Sequence, residues 1–199
     1  MDLHWIHKAR DFAKHAHGAQ LRKYTGVPYW HHLEEVAGIL LRHSQNPQVV
    51  AAGWLHDTLE DTSTTYEQLV AEFDATIAEL VLEVTDVSRP EHGKRPVRKR
   101  LDRQYLAGAS AFGQMIKCAD TISNTRDIAE HDHRFAREVY IPEKTALVPV
   151  LVNARNFCYP LWRAAFDEVE KARFELQIAA QRRPAACSAQ SARSSASGS

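Results

Sequence analysis

The segment Ala51-Ala52-Gly53-Trp54-Leu55-His56-Asp57-Thr58-Leu59-Glu60-Asp61 decides how the rest of the chain is read. Small and apolar residues give way within one turn to an imidazole and three carboxylates. An apolar helix that runs into such a cluster is costly, because buried carboxylates without partners lose hydration or change protonation. A divalent cation removes that cost and accounts for the placement. Neighbouring His56 and Asp57 can reach one ion if each takes a different rotamer near a helix end. Glu60 follows His56 by four residues and Asp57 by three, so it shares their face. The pair alone does not exclude a solvated helix end with scattered charges.

Two other segments carry the same mixture of apolar residues and ligand chemistry. Tyr29-Trp30-His31-His32-Leu33 opens a helix just after a turn, and either histidine could instead be a cap or a satisfied core residue. In Met115-Ile116-Lys117-Cys118-Ala119-Asp120-Thr121-Ile122-Ser123-Asn124, Asp120 and Asn124 are helical neighbours beside apolar residues, with Lys117 one turn earlier. Borderline metals accept mixed nitrogen and carboxylate donors of this kind.

The periodicity is helical nearly throughout. It predicts helices over Leu3–Lys14, Tyr29–His43, Val49–Leu59, Thr64–Phe73, Thr76–Thr85, Val97–Ala109, Phe112–Glu130, Arg134–Leu151 and Phe157–Arg182. Asn46-Pro47 forms a start signal, since Asn caps free amides and Pro fits the first turn. Arg22–Pro28 and Ser88–Val97 read as loops, and Pro142, Pro149 and Pro160 should start, kink or break the last helices. No alternating run is long enough for a sheet, and neither a Gly-rich dinucleotide fingerprint nor a P-loop is present. The predicted fold class is all-α, with one domain over 1–182. Residues 183–199 are Ala/Ser-rich without a large apolar side chain, and a disordered tail is expected there.

The 199 residues suffice for one core. Lys+Arg and Asp+Glu balance at 25 each, so the whole chain has no bias toward nucleic acid or a membrane surface. No apolar run reaches the length of a membrane span, and the first residues lack the apolar core of a signal peptide. Cys118, Cys158 and Cys187 show no C-x-x-C spacing, which points to a reducing, cytoplasmic setting. Eleven histidines fit metal or acid-base chemistry.

In order, H…HD…ED…D…N resembles the HD superfamily of phosphohydrolases. The flanking words are similar to the hydrolase domain of the RelA/SpoT homologues and the small alarmone hydrolases. Arg22-Lys23-Tyr24-Thr25-Gly26-Val27-Pro28-Tyr29 resembles their R-[KR]-x-[TS]-G-x-P-Y turn. Trp54–Thr62 resembles L-L-H-D-[TV]-[VL]-E-D-T, and Lys117–Asn124 resembles K-[LI]-A-D-[RK]-[LIT]-x-N. The likeness implies a helical HD bundle with a single Mn²⁺ site. His32, His56, Asp57 and Asp120 match the ligands; His32 is taken over His31 because four residues separate it from Pro28, as in the motif. Glu60 and Asp61 match the acidic pair that activates water. Arg22 and Lys23 match the basic turn beside the nucleotide, Asn124 a polar residue of its pocket, and Tyr140 and Lys144 lie in a region that often meets phosphate.

Lys94, Arg95, Arg98, Lys99 and Arg100 form the densest basic run. Lys94 and Arg98 are the candidate phosphate contacts within it; a solvated helix face is the plain alternative. The run is short and lacks interleaved aromatics, which argues against nucleic acid. The expected reaction is Mn²⁺-dependent removal of the 3′-diphosphate of (p)ppGpp or (p)ppApp as pyrophosphate. An HD phosphatase acting on nucleoside monophosphates or other phosphate esters, and a non-catalytic nucleotide sensor, are the alternatives.

Overall fold

The computed structural model describes residues 3–182, and the expected tail lies outside the described residues, as does Cys187. Among the described residues the chain is helical, and its only strand-like pairing is an isolated bridge between Leu21 and Pro28. The first half holds α1 (His4–His17), α2 (Trp30–His43), α3 (Pro47–Leu55), a single turn α4 (Thr58–Asp61), α5 (Tyr66–Glu72) and α6 (Ala75–Val84). The second holds α7 (Arg95–Ala107), α8 (Ala111–His131), α9 (His133–Phe135), α10 (Ile141–Leu147), α11 (Val152–Phe157) and α12 (Tyr159–Arg182).

Every residue from Val49 to Leu55 is buried, so α3 is apolar around its whole circumference and lies inside the bundle. It packs against α1, α2 and α6. Gly53 lets α2 come close, since a Cβ there would sit 2.4 Å from the Leu40 side chain. The long α8 is the second buried rod, contacting α2, α11 and α12. Leu33, Leu40, Leu55, Met115, Ile116 and Leu161 fill the space between them. Gln114 is one of several buried polar residues of α8. Its amide donates to Leu106 O at 2.9 Å and Ala107 O at 3.2 Å, and its carbonyl accepts from Ala154 N at 3.0 Å.

The start signal at Asn46-Pro47 is used: the Asn46 side chain accepts from Gln48 N at 2.9 Å. Several expected boundaries differ, three of them around the site. The helix expected over Val49–Leu59 stops at Leu55. There His56 Nδ1 takes Gly53 O at 2.8 Å and Thr58 Oγ1 takes Leu55 O at 2.7 Å, while Asp57 turns to φ −98°, ψ 0°. These side chains capture carbonyls that a continuing helix would use. The helix expected over Arg134–Leu151 is instead α9, a π turn over Ala136–Tyr140, α10 and a 3-10 turn over Val148–Val150, with Pro142 and Pro149 each starting a segment. The basic helix begins two residues early, at Arg95, with Pro96 in its first turn.

Candidate metal centre and nucleotide cavity

His32 from α2, His56 and Asp57 from the α3–α4 break, and Asp120 from α8 converge at one point. The break matters, because it turns Asp57 back beside His56. His56 Nε2 lies 3.1 Å from Asp57 Oδ2 and 3.8 Å from Asp120 Oδ1. His32 Nε2 lies 3.6 Å from Asp57 Oδ2 and 3.4 Å from Asp120 Oδ1. His31 is not part of this group; it is exposed and its ring stacks on Trp30.

The donor set fits a divalent cation on two observations. Both Nε2 atoms are buried and have no hydrogen-bond partner. A cation about 2.1 Å from nitrogen and oxygen donors holds neighbouring donors roughly 3.0–3.4 Å apart, close to the observed spacings. The ring tautomers agree. His56 Nδ1 faces the Gly53 carbonyl, which can only accept, so in the neutral ring Nε2 has the lone pair. Tyr29 Oη donates to Asp57 Oδ2 at 2.6 Å, and Asn124 Nδ2 donates to Asp120 Oδ1. Lys117 Nζ stands 3.2 Å from Asp120 Oδ2.

Without a cation, protons and neighbouring charges carry the balance. Burial would lower His56, but Asp57 and Asp120 outweigh it and push it up to about 10. Burial would raise Asp57 and Asp120. The facing His56 holds Asp57 below the usual carboxylate range, and Lys117 with the two histidines does the same for Asp120.

Asp57 and Asp120 lie on the floor of a cleft of about 510 Å³, within the usual range for small-molecule sites, with His32 and His56 buried behind them. Seven acidic side chains line it: Asp57, Glu60, Asp61, Asp86, Asp102, Asp120 and Glu143. Five basic ones face them: Arg95, Lys99, Arg103, Lys117 and Lys144. Counted as side chains, the acids exceed the bases by two.

Most of the bases are already engaged. Arg95 forms a two-pronged pair with Glu143 at 2.7 and 2.8 Å, and Lys99 pairs with Asp86 and, at 3.4 Å, Asp102. Lys144 has no carboxylate within 4 Å among the described residues; its Nζ lies over the Tyr140 ring at 5.1 Å. Burial, aided by Lys117 and Lys99, lowers its ammonium to about 8.

Glu60 opens to the cleft, and its Oε1 accepts from Asp86 N at 2.8 Å. Crowding by the cleft walls raises its carboxyl to about 7, with Lys117 opposing and Asp86 and Asp57 adding. Asp61 sits beside it and accepts from Gln20 Nε2 at 3.1 Å.

Asn124, Tyr140 and Lys144 thus line the same cleft as Glu60 and Asp61. Arg22 lies at its edge, its guanidinium fixed by Asn124 Oδ1 at 3.1 Å and Asp127 Oδ2 at 2.7 Å. Lys23 is exposed and points over the Tyr24 and Phe135 rings. Lys94 and Arg98 do not line the cleft. Lys94 is exposed ahead of α7, and Arg98 is half-buried on a neighbouring face. Arg95, Lys99 and Arg103 take their place, because steps of four keep them on one side of α7. Helical spacing within the basic run carried that signal; local charge density did not. Tyr29, Asp86, Asp102 and Glu143 also went unassigned in the sequence.

An all-helical bundle gathering His, His-Asp and Asp from three places in the chain defines the HD class of metal-site domains. The family described as HD domain matches residues 9–141, and the chain belongs to it. The mouse guanosine-3′,5′-bis(diphosphate) 3′-pyrophosphohydrolase MESH1 is 37% identical over 124 residues, covering 61% of this chain and 68% of the relative. A protein of the same enzyme name from Aquifex aeolicus is 44% identical over 123 residues, 62% of this chain and 18% of that one. The probable GTP diphosphokinase RSH3 of Arabidopsis thaliana is 32% identical over 161 residues. The chain spans only about a fifth of that longer relative, 22%. The solved structure of a metazoan ortholog of SpoT, described as hydrolysing ppGpp, superimposes with a TM-score of 0.74 at 26% identity, over 84% of this chain and 95% of that one. No helix among the described residues is long and apolar enough to cross a membrane.

Proposed function

We propose that the protein hydrolyses the 3′-diphosphate of a purine nucleotide alarmone, (p)ppGpp or (p)ppApp, releasing pyrophosphate, with Mn²⁺ as the working cation. One observation carries this reading: two buried, unpartnered imidazole nitrogens face two aspartates on the floor of a cleft whose walls hold Lys117, Lys144, Lys99 and Arg103. The names of the mouse and Aquifex relatives and of the SpoT-like structure support it.

His32, His56, Asp57 and Asp120 would hold the cation. Once bound, it acidifies water and offsets charge on the phosphoryl oxygens. Glu60, with a carboxyl near neutrality, takes the proton of the attacking water, and Asp61 beside it assists. Water adds to the phosphorus joined to the 3′ oxygen, the P–O3′ bond breaks, the 3′ oxygen leaves as a hydroxyl after taking a proton from solvent, and pyrophosphate is released. Lys117 and Lys144 face the charge that grows on the transferred group. Asn124 both steadies Asp120 and anchors Arg22, which links the metal floor to the basic turn at the cleft edge. Tyr140 supplies an apolar wall under Lys144.

The test is incubation of the purified chain and Mn²⁺ with ppGpp, ppApp and a panel of nucleoside monophosphates, followed by separation of products. Pyrophosphate from either alarmone supports the proposal. Orthophosphate from the monophosphates alone, or tight binding without turnover, overturns it in favour of a phosphatase or a sensor.

A further inference from the structure

The two histidines at the floor have their tautomers set in different ways. His56 is set by a backbone carbonyl, which no substitution at another position removes. His32 depends on side chains. Its Nδ1 lies 2.9 Å from Ser123 Oγ, and that hydroxyl donates to Glu35 Oε2 at 2.6 Å. A hydroxyl has one proton. With that proton on the Glu35 carboxylate, Ser123 can only accept from His32. In the neutral ring the Nδ1 therefore carries the hydrogen, and the buried Nε2 keeps its lone pair for a cation held with Asp57 and Asp120.

Glu35 is braced in turn. Arg126 Nη1 stands 3.4 Å from Glu35 Oε1, and Arg126 Nε pairs with Glu168 at 3.0 Å. The chain Arg126–Glu35–Ser123–His32 thus runs from the surface between α2, α8 and α12 to the floor of the cleft. Ser123 is fully enclosed, whereas Glu35 and Arg126 are open to solvent. A buried hydroxyl that only bridges an imidazole to a surface carboxylate has no packing purpose that alanine would not serve.

We infer that Ser123 and Glu35 are positioning residues that fix His32 in its Nδ1–H form and so set the cation affinity of the site. The inference rests on the metal-site reading above but not on the identity of the substrate. Partners of this kind are worth about 10–100-fold in metal affinity. Ser123→Ala removes the acceptor and lets the ring take its Nε2–H form, which blocks the ligand nitrogen. Glu35→Gln allows the new amide to donate to Ser123, which frees the hydroxyl proton to face Nδ1 and favours the same wrong form. Ser123→Thr keeps the hydroxyl and restores the relay.

Two measurements on the full chain test this, with thermal melting to confirm folding. Imidazole ¹⁵N shifts of the metal-free protein, followed to the pH at which the ring is neutral, report the His32 tautomer directly. Calorimetric titration with Mn²⁺ alone reports affinity. The expected result is an Nδ1–H ring in the wild type and Ser123→Thr, an increased share of Nε2–H in Ser123→Ala and Glu35→Gln, and Mn²⁺ binding about 10-fold or more weaker in those two. An unchanged tautomer, or Mn²⁺ affinity within about twofold of wild type in folded Ser123→Ala and Glu35→Gln, overturns the inference. A wild type that holds Mn²⁺ but cleaves no alarmone would defeat the proposed reaction and leave this relay standing. If the wild type binds no Mn²⁺ at all, the metal reading fails, and the relay's metal role falls with it.

Discussion

The Tyr29 hydroxyl donates to Asp57 Oδ2 at 2.6 Å, on the same oxygen that faces both His32 and His56. Burial and the nearby Asp57 raise the phenol above its usual range, so it remains a donor at any working pH. The bond holds the carboxylate in the orientation that the α3–α4 break creates. Tyr29→Phe should weaken Mn²⁺ binding about 10-fold while leaving the fold intact. Titration with Mn²⁺ beside a thermal melt checks it; unchanged affinity would show that Asp57 is oriented by the backbone turn alone.

Glu60 and Lys144 set opposite limbs of a pH profile. Glu60 must be deprotonated to accept a proton, and its carboxyl is raised to about 7, so kcat/KM should climb as pH rises through that region. Lys144 must be protonated to hold phosphate, and its ammonium is lowered to about 8, so kcat/KM should fall as pH passes that value. A bound cation adds positive charge and moves the acid limb to lower pH. A pH–rate series on wild type and Lys144→Gln is the check. The alkaline limb should vanish in the variant, and its persistence would assign that limb to another group.

Lys144 also lacks the carboxylate partners that hold Arg95 and Lys99, so it is free for substrate. Loss of a charged hydrogen bond to phosphate is worth about 1.5–3 kcal/mol, or roughly 10–100-fold. Lys144→Gln near neutral pH should therefore raise KM for an alarmone by about that factor without altering Mn²⁺ affinity. Steady-state kinetics with parallel metal titration separates the two effects.

Gln114 supports the scaffold and makes no contact with the chemistry. Gln114→Leu would leave Ala154 N without its acceptor inside the bundle, while the Leu106 carbonyl keeps Ala109 N at 3.2 Å. The expected cost is about 1–3 kcal/mol from the unpaired amide, read by denaturant unfolding. Activity of the folded fraction should be unchanged.

Much of this was readable from the chain because the informative features are local. Asn46-Pro47 starts α3 as its cap chemistry predicts, and the apolar run after it is buried on all sides. His32, His56, Asp57 and Asp120 carry a resemblance that the folded chain brings to one point. The end of α3 was not readable, since the His56 and Thr58 side chains stop it by taking carbonyls of their own helix. The breaks at Pro142 and Pro149 fall where those prolines were expected to start or break helices, whereas the π turn over Ala136–Tyr140 leaves no mark in the helical period. Lys94 and Arg98 were drawn from local charge density, whereas the cleft selects the four-residue face of Arg95, Lys99 and Arg103. Glu35 and Ser123 are 88 residues apart, and only the fold makes them neighbours.

One cation is expected among His32, His56, Asp57 and Asp120, and anomalous diffraction from crystals soaked in Mn²⁺ would locate it. The expected result is a single strong peak bonded to both Nε2 atoms and to an oxygen of each aspartate, at roughly 2.0–2.3 Å. An empty floor, or a peak held instead by Asp86 and Asp102 on the cleft wall, would contradict it.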